Sequence, residues 1–318
     1  MKSKVYFTRD ISPEAVVALY QKLGVTLPGK VAVKVHSGEK GNQNFLRPEF
    51  WRPMVEAVDG TIVECNTAYG DFYGNGVRDQ TAEHWKLLEY HGWSKLFQVD
   101  LMDAEGPDLA WKVENGKVLA ENLVGKNIVN YDSMLVLAHF KGHPMGGYGG
   151  ALKQLSIGCA SRAGKSRIHS GGATDSHMEA WDKHAEQLRF CEAMAEAAST
   201  VVRHFDGKIA FVNVMKNLSV DCDCCAPAED PCMKDIGIMA SLDPVAIDQA
   251  CIDLVYAMKP EENRHLVERI ETRHGLRQLS YMKELGMGND RYVLIDLDNG
   301  EIRILPKDAV NGVKPFEG

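Results

Sequence analysis

The sequence predicts an α/β fold: a mostly parallel sheet with helices on both faces, plus small hairpin excursions. Three observations carry this expectation. Short apolar runs rich in Val and Ile alternate with stretches of helical length and spacing, the pattern of repeated strand–helix–strand units. Two later runs, MLVLAHF (Met134 to Phe140) and KIAFVNVM (Lys208 to Met215), are almost continuously apolar, as strands buried on both faces must be. A chain of 318 residues that is 45% hydrophobic can also bury the core such a sheet requires.

The elements follow in order. Lys4 to Thr8 reads as a strand, and Ser12 to Leu23 as a helix with Ser12 at the N-cap and Pro13 at the first helical position. KVAVKVH, from Lys30 to His36, is the next strand. Pro48 to Val58 and Arg78 to His91 are helical, and the runs TIVECN and KLFQVD continue the alternation. In WKVENGKVLA the pair Asn115-Gly116 is a hairpin turn signal. It marks an excursion between an N-terminal half, residues 1–125, and a C-terminal half, residues 126–318, unless the two form one continuous domain.

MLVLAHF leads into the glycine-rich HFKGHPMGGYGG, a short helix ALKQLSIG and a basic loop CASRAGKSRIHSGG. A long helix is predicted from about Asp175 to His204, opened by a capping box of Ser176 and Glu179. On it His177, Trp181, His184, Leu188, Cys191, Ala195 and Ala198 would form one stripe, read as core packing. Asp243 and Pro244 start a helix to about Met258, two short helices precede Gly286, and RYVLIDLDNGEIRIL closes the chain as a hairpin around Asn299-Gly300.

Composition narrows the function. A net charge of −8 repels nucleic acid and anionic membranes. No run is apolar for the length of a membrane span, and the N-terminus lacks the apolar core of a signal peptide. A cytoplasmic protein is expected. There thiols stay reduced, so clustered cysteines read as metal ligands or redox groups before disulfides.

Four of the eight cysteines, Cys222, Cys224, Cys225 and Cys232, fall within eleven positions of LSVDCDCCAPAEDPC. Thiolates in a loop can converge on zinc or an iron–sulfur cluster. The C-x-C-C-x6-C spacing departs from the C-x2-C pairs common to both, and adjacent Cys224 and Cys225 point apart in extended backbone. Asp221, Asp223, Glu229 and Asp230 add negative charge that suits a cation.

GCASRAGKS misses the phosphate-loop spacing by one residue, because Cys159 stands where the first glycine belongs. Its chemistry still suits an anion. Lys141, Gly149, Gly150, Arg162 and Lys165 form a candidate anion-binding set around the start of a helix. His139, His143 and His169 bracket the same region and, with Lys153, are the candidate catalytic residues; His36, after the second strand, is a further possible acid, base or ligand.

HFKGHPMGGYGGALKQLSIGCASRAGKSRIH, followed by VDCDCC and DIGIMASLDPVAIDQA, resembles the domain-of-unknown-function family numbered 362, often labelled uncharacterised iron–sulfur centre proteins. The resemblance runs from VAVKVHSGE to about Tyr256. It implies a cytoplasmic α/β protein of anaerobic microbes with a metal or iron–sulfur association, and it supplies no reaction. The family pattern covers His139, Lys141, His143, Gly149, Gly150, Lys153, Gly158, Arg162, Gly164, Lys165, His169, Cys222, Cys224 and the Asp243-Pro244 turn. Many members carry an inserted ferredoxin module after the position of His169, which this sequence lacks.

Three readings stand. In the first, an iron–sulfur redox protein exchanges electrons with a partner protein beside a small anionic ligand. In the second, zinc or another divalent ion acts on a small carboxylate or phosphate, with the histidines as acid or base. In the third, the chain is a metal-binding scaffold without turnover.

Overall fold

Strand β1 (Ser3–Thr8) and helix α1 (Pro13–Lys22) open the chain in a computed structural model that describes residues 2–70, 76–106, 108–311 and 313. Ser12 caps α1 as predicted, its hydroxyl accepting from the Ala15 N–H at 3.1 Å. Then come β2 (Val31–Lys34), α2 (Pro48–Ala57), β3 (Thr61–Glu64), α3 (Thr81–Tyr90), the single turn α4 (Trp93–Leu96) and β4 (Val99–Leu101). The predicted excursion is present: β5 (Leu109–Lys112) and β6 (Glu121–Val124) pair antiparallel, apart from the main sheet. Asn115 between them has φ 59°, a left-handed turn conformation that asparagine tolerates.

β7 (Ser133–His139) is buried along its whole length. The glycine-rich stretch after it folds into a hairpin of β8 (Lys141–His143) and β9 (Gly147–Gly149), followed by α5 (Ala151–Leu155). The basic loop of the sequence reading is in fact largely helix, α6 (Arg162–His169). Ser161 caps it by accepting from the Gly164 N–H at 3.0 Å. Gly164 lets α6 lie against β6, since a Cβ there would stand 1.9 Å from the Leu123 carbonyl oxygen.

The long helix, α7 (Gln187–Phe205), begins at Gln187 and not near Asp175. Gly171 and Gly172, with φ of +59° and +88°, first turn the chain back. Glu179 cannot close a capping box because its carboxylate takes the Thr174 hydroxyl at 2.9 Å and Lys183 at 2.7 Å. Trp181 and His184 leave the supposed core stripe and pack on the His169 ring, at 5.0 Å and 6.0 Å between centroids.

The remainder is β10 (Ile209–Met215), β11 (Gly237–Ser241), α8 (Pro244–Ala257), α9 (Pro260–Thr272), α10 (Leu276–Glu284), β12 (Tyr292–Asp296), β13 (Ile302–Ile304) and α11 (Pro306–Ala309). Asp243 caps α8 by accepting from Val245 and Ala246 N–H groups at 2.9 and 3.0 Å. The closing hairpin, β12 with β13, forms as predicted.

The main sheet has nine strands in the order β13-β12-β1-β11-β10-β7-β2-β3-β4. It is mostly parallel; β11 and β13 run against the rest. Alternate residues of β7 face opposite cores. Met134 and Val136 pack with α5, α7 and α8, while Leu135 and Leu137 pack with α1 and α2. Each such buried aliphatic side chain contributes about 1.5–3 kcal/mol, so the central strands lock the layers together. Among the described residues no helix is long and apolar enough to cross a membrane.

Candidate metal centre

β2, β3, β7 and β10 are parallel and end at one edge of the sheet. From β2 the sheet continues outward through β3 to β4, and from β7 it continues the other way to β10. A crevice opens where the order reverses, the general ligand position of open α/β sheets. Lys34 and His36 come from the end of β2, Glu64 and Cys65 from β3, and His139 from β7, with the cysteine loop rising beyond β10.

The loop after β2 cradles the cysteine loop. Asn42 Nδ2 donates to the carbonyls of Cys222 at 3.2 Å and Cys225 at 2.7 Å, while its Oδ1 accepts the N–H groups of Asn44 and Phe45 at 2.9 Å. The Glu39 N–H donates to the Asp223 carbonyl at 2.8 Å, and the Gly142 N–H to that of Ser219 at 2.8 Å. Asp223 then ties the loop to β7 and β8: its carboxylate meets His139 Nδ1 at 2.8 Å and Lys141 Nζ at 2.7 Å. Gly142 has no room for a side chain, since a Cβ would stand 2.2 Å from the Val220 carbonyl oxygen. Gly142→Ala is expected to cost roughly 1–3 kcal/mol as an overpacked contact against backbone. A wild-type thermal melt for that variant would show that the loop yields freely.

Cys222, Cys224 and His36 come together, with one possible ligand atom from each lying within 4.8 Å of the others. Two thiols and an imidazole suit a borderline or soft cation such as zinc or iron. Lys153 Nζ donates to Cys222 Sγ at 3.2 Å, which stabilises a thiolate there and leaves further sulfur lone pairs for a metal. Burial and the Cys224 thiol push the Cys222 pKa up, against the pull of Lys153 and Lys141. Ligation reverses that balance, because a coordinated thiol is deprotonated outright. His36 Nδ1 accepts the Gly38 N–H at 3.1 Å and Nε2 lies 3.4 Å from Arg78 Nη2. Binding a metal through either nitrogen gives up the Gly38 bond.

The other two predicted metal cysteines separate. Cys225 lines the adjoining cavity beside Cys224. Cys232 is exposed, its sulfur 3.7 Å from the Leu218 carbonyl, and stands outside the three-residue group.

The cavity, of about 70 Å³, is lined by His36, Cys224 and Cys225 together with Lys153, Lys165, His143 and His169. Most buried cations here are paired: Lys34 with Glu64 at 2.6 Å, Arg78 with Glu39 at 3.1 Å, Lys141 with Asp223. Among the described residues Lys153 and Lys165 have no carboxylate partner; Lys165 Nζ donates to the Ala160 carbonyl at 2.6 Å. Burial lowers the Lys165 pKa in spite of Cys65, Asp103 and Glu64 nearby.

The three candidate histidines differ in what they can do. His139 faces acceptors on both sides, Asp223 Oδ1 and the Lys216 carbonyl at 2.6 Å, and stands outside the cavity lining. His143 Nδ1 accepts the N–H groups of Met145 and Gly146 at 3.2 and 2.8 Å. Its ring is neutral, since burial and then Lys153 hold the pKa well below the usual histidine range. The single ring proton therefore sits on Nε2, which lies 4.0 Å from Cys224 Sγ. His143 is a hydrogen-bond donor to the cavity. His169 is also neutral, its pKa held at about 3 by burial and the neighbouring His184, and its Nδ1 has no hydrogen-bond partner among the described residues.

The predicted anion-binding set is brought only partly together. The first N–H groups of α5, after Gly149 and Gly150, are taken by the Asp248 carboxylate at 2.8 and 2.9 Å. Gly150 makes room for it: a Cβ would stand 2.5 Å from Asp248 Oδ1. The Arg162 N–H is held by Asp103 at 2.9 Å and its guanidinium lies 3.6 Å from Asp79. Lys141 is spent on Asp223, and Lys165 alone of the set lines the cavity.

Lys34, Glu39, Asn42, Glu64, Arg78 and Asp223 complete the surroundings; of these the sequence pointed only to Asp223, as one of the acids whose charge suits a cation. The available signal was a charge inside an apolar strand, Lys34 in VAVKVH and Glu64 in TIVECN. Strands buried on both faces tolerate such charges only in pairs.

No curated protein matches this chain. Among solved structures, the lactate racemase apoprotein from Thermoanaerobacterium thermosaccharolyticum aligns with a TM-score of 0.37 at 13% identity, over 66% of this chain and 50% of that one. A Thermotoga maritima protein solved by a structural genomics consortium aligns with a TM-score of 0.38 at 13% identity, over 64% and 49%. The chain thus spans about half the length of these structures. The family model for the domain of unknown function DUF362 matches residues 31–253, which include the strand ends, both lysines, His36 and the cysteine loop; the chain belongs to that family.

Proposed function

We propose that this protein is a metal-dependent enzyme acting on a small organic anion. The observation that supports it is that His36 and Cys224 of the His36, Cys222 and Cys224 group line the same cavity as two buried lysines that have no carboxylate partner among the described residues. Two thiolates and one imidazole would hold a divalent ion and leave a fourth position open, as catalytic zinc sites do. A bound ion would supply Lewis-acid polarisation of a substrate oxygen. Lys153 and Lys165 would hold the substrate's negative charge. His143 would donate its Nε2 proton as a hydrogen bond to an oxygen gaining charge, a role distinct from that of a base. His139 is spent on Asp223, so His169, with its unpartnered Nδ1, is the histidine left to handle a proton.

A second reading is favoured by Cys225, which lines the same cavity next to Cys224. Three thiols with His36 would suit an iron–sulfur cluster, and the protein would then exchange electrons with a partner protein beside the bound anion. Neither reading uses Cys232.

Metal and acid-labile sulfide, measured on protein purified without oxygen, separate the two. About one equivalent of zinc without sulfide, abolished in Cys222→Ser and Cys224→Ser and kept in Cys232→Ser, is the expected result. Iron with matching sulfide, lost in Cys225→Ser, would establish the cluster instead. Wild-type protein free of metal, or a Cys222→Ser protein that keeps it, would sink both readings.

A further inference from the structure

We propose that the cavity takes a short-chain organic carboxylate in preference to a phosphate. This rests on the cavity being the substrate site, and it names the substrate class.

Charge demands an anion. Lys165 is 5% exposed, lines the cavity and among the described residues has only the Ala160 carbonyl as its hydrogen-bond acceptor. A buried ammonium without a counter-ion is costly, and a ligand carboxylate would offset that cost. Lys153 already faces the Cys222 sulfur. Among the described residues Lys165 and Lys153 are thus the lining cations left to meet a small anion.

Phosphate is recognised chiefly by clustered backbone N–H groups at helix starts and glycine turns. Among the described residues, such groups at the starts of α5 and α6 are occupied. Asp248 fills the start of α5, Asp103 takes the Arg162 N–H, and the Ser161 hydroxyl takes that of Gly164. Among the described residues, a doubly charged phosphate would meet Lys165 without the amide cradle that normally spreads its charge.

Part of the lining is apolar, beside Thr67, Gln154 and the ion-paired Lys34, Glu64 and Arg78. Ala68, Pro144, Met145, Ile157 and Trp181 line the cavity together with the neutral His169 ring, which stacks on Phe190 at 4.8 Å. These groups gain by covering hydrocarbon. A cavity near 150 Å³ accommodates benzene, so one of about 70 Å³ suits a chain of a few carbons.

Calorimetric titration of the full chain, as isolated, with acetate, propionate, butyrate and inorganic phosphate tests this. Affinity should rise roughly threefold to fourfold per added methylene until the cavity is full, with phosphate weaker than butyrate. Lys165→Met should weaken butyrate at least about tenfold. Ile157→Ala, which leaves the cation in place, should flatten the chain-length series and leave acetate unchanged. Phosphate binding as tightly as butyrate, a flat wild-type series, or an unaltered Lys165→Met protein would each overturn the proposal. If Lys165→Met fails to fold, the wild-type series and Ile157→Ala still decide it. Metal assayed on the same samples keeps the failures apart: metal present without carboxylate binding ends this inference alone, and carboxylate binding without metal ends the metal reading alone.

Discussion

Asp223→Ala is expected to destabilise the protein by roughly 3–5 kcal/mol, the usual consequence of removing one partner from a buried ion pair. Asp223 is 1% exposed and lies between His139 and Lys141, each 2% exposed. Burial opposes its charge, but His139 and Lys141 outweigh that and hold the carboxyl well below the ordinary carboxylate range. Without it the Lys141 ammonium stays buried with no anion, and the loop between Cys222 and Cys224 loses its tie to β7 and β8. Urea unfolding of wild type, Asp223→Ala and the double variant Asp223→Ala with Lys141→Met measures the effect. The double variant removes the orphaned cation and should recover part of the loss. A single variant within about 1 kcal/mol of wild type would show that the pair lies open to water.

Acidification should weaken the fold steeply, beginning near pH 6.5. His84 and His169 are buried, and burial foremost holds each pKa at about 3, with Arg78 acting on His84 and His184 on His169. In the unfolded chain a histidine takes up its proton near 6.5. Between those values the unfolded state binds more protons, so this stability is complete above pH 6.5 and drains as pH falls toward 3. Each group contributes a slope of about 1.4 kcal/mol per pH unit in mid-window, and the two together about 2.7. Glu64 adds to the loss only lower, between 4.5 and about 2, because Lys34 and Arg78 overcome the burial that would otherwise raise it. Urea midpoints measured from pH 7.5 to 4.5 would give the slope, and His169→Phe should reduce it by about 1.4 kcal/mol per pH unit in mid-window. Stability that is flat between pH 7 and 5 would mean that both histidines reach solvent before the protein unfolds.

What could be foreseen divides along physical lines. The strands of the main sheet's centre were legible because burial on both faces leaves a continuous apolar run, as in MLVLAHF and KIAFVNVM. The caps at Ser12 and Asp243 were legible because an oxygen-bearing side chain before proline has few other uses. β11 was missed because IGIMAS ends on the Asp243 turn and reads as its lead-in. The helix expected from Asp175 starts only at Gln187, because Glu179 spends its carboxylate on Thr174 and Lys183 while Trp181 and His184 pack on His169. The anion site expected at the start of α5 was already filled by Asp248, an acid 97 residues farther along that lies against it only in the fold.

By itself the sequence determined the α/β class, the alternation that brings strand ends to one edge, and the gathering of cysteines into one loop. Those follow from local propensity and from the spacing of apolar residues, and both act over a few neighbouring positions. Only the tertiary structure decided that His36 joins Cys222 and Cys224, that Cys232 stands apart, and that among the described residues Lys153 and Lys165 are left without a carboxylate while Lys34, Arg78 and Lys141 find theirs. Such pairings link residues tens to hundreds of positions apart. Their energies depend on burial and on distances of a few ångströms, which are set when the helices pack onto the sheet.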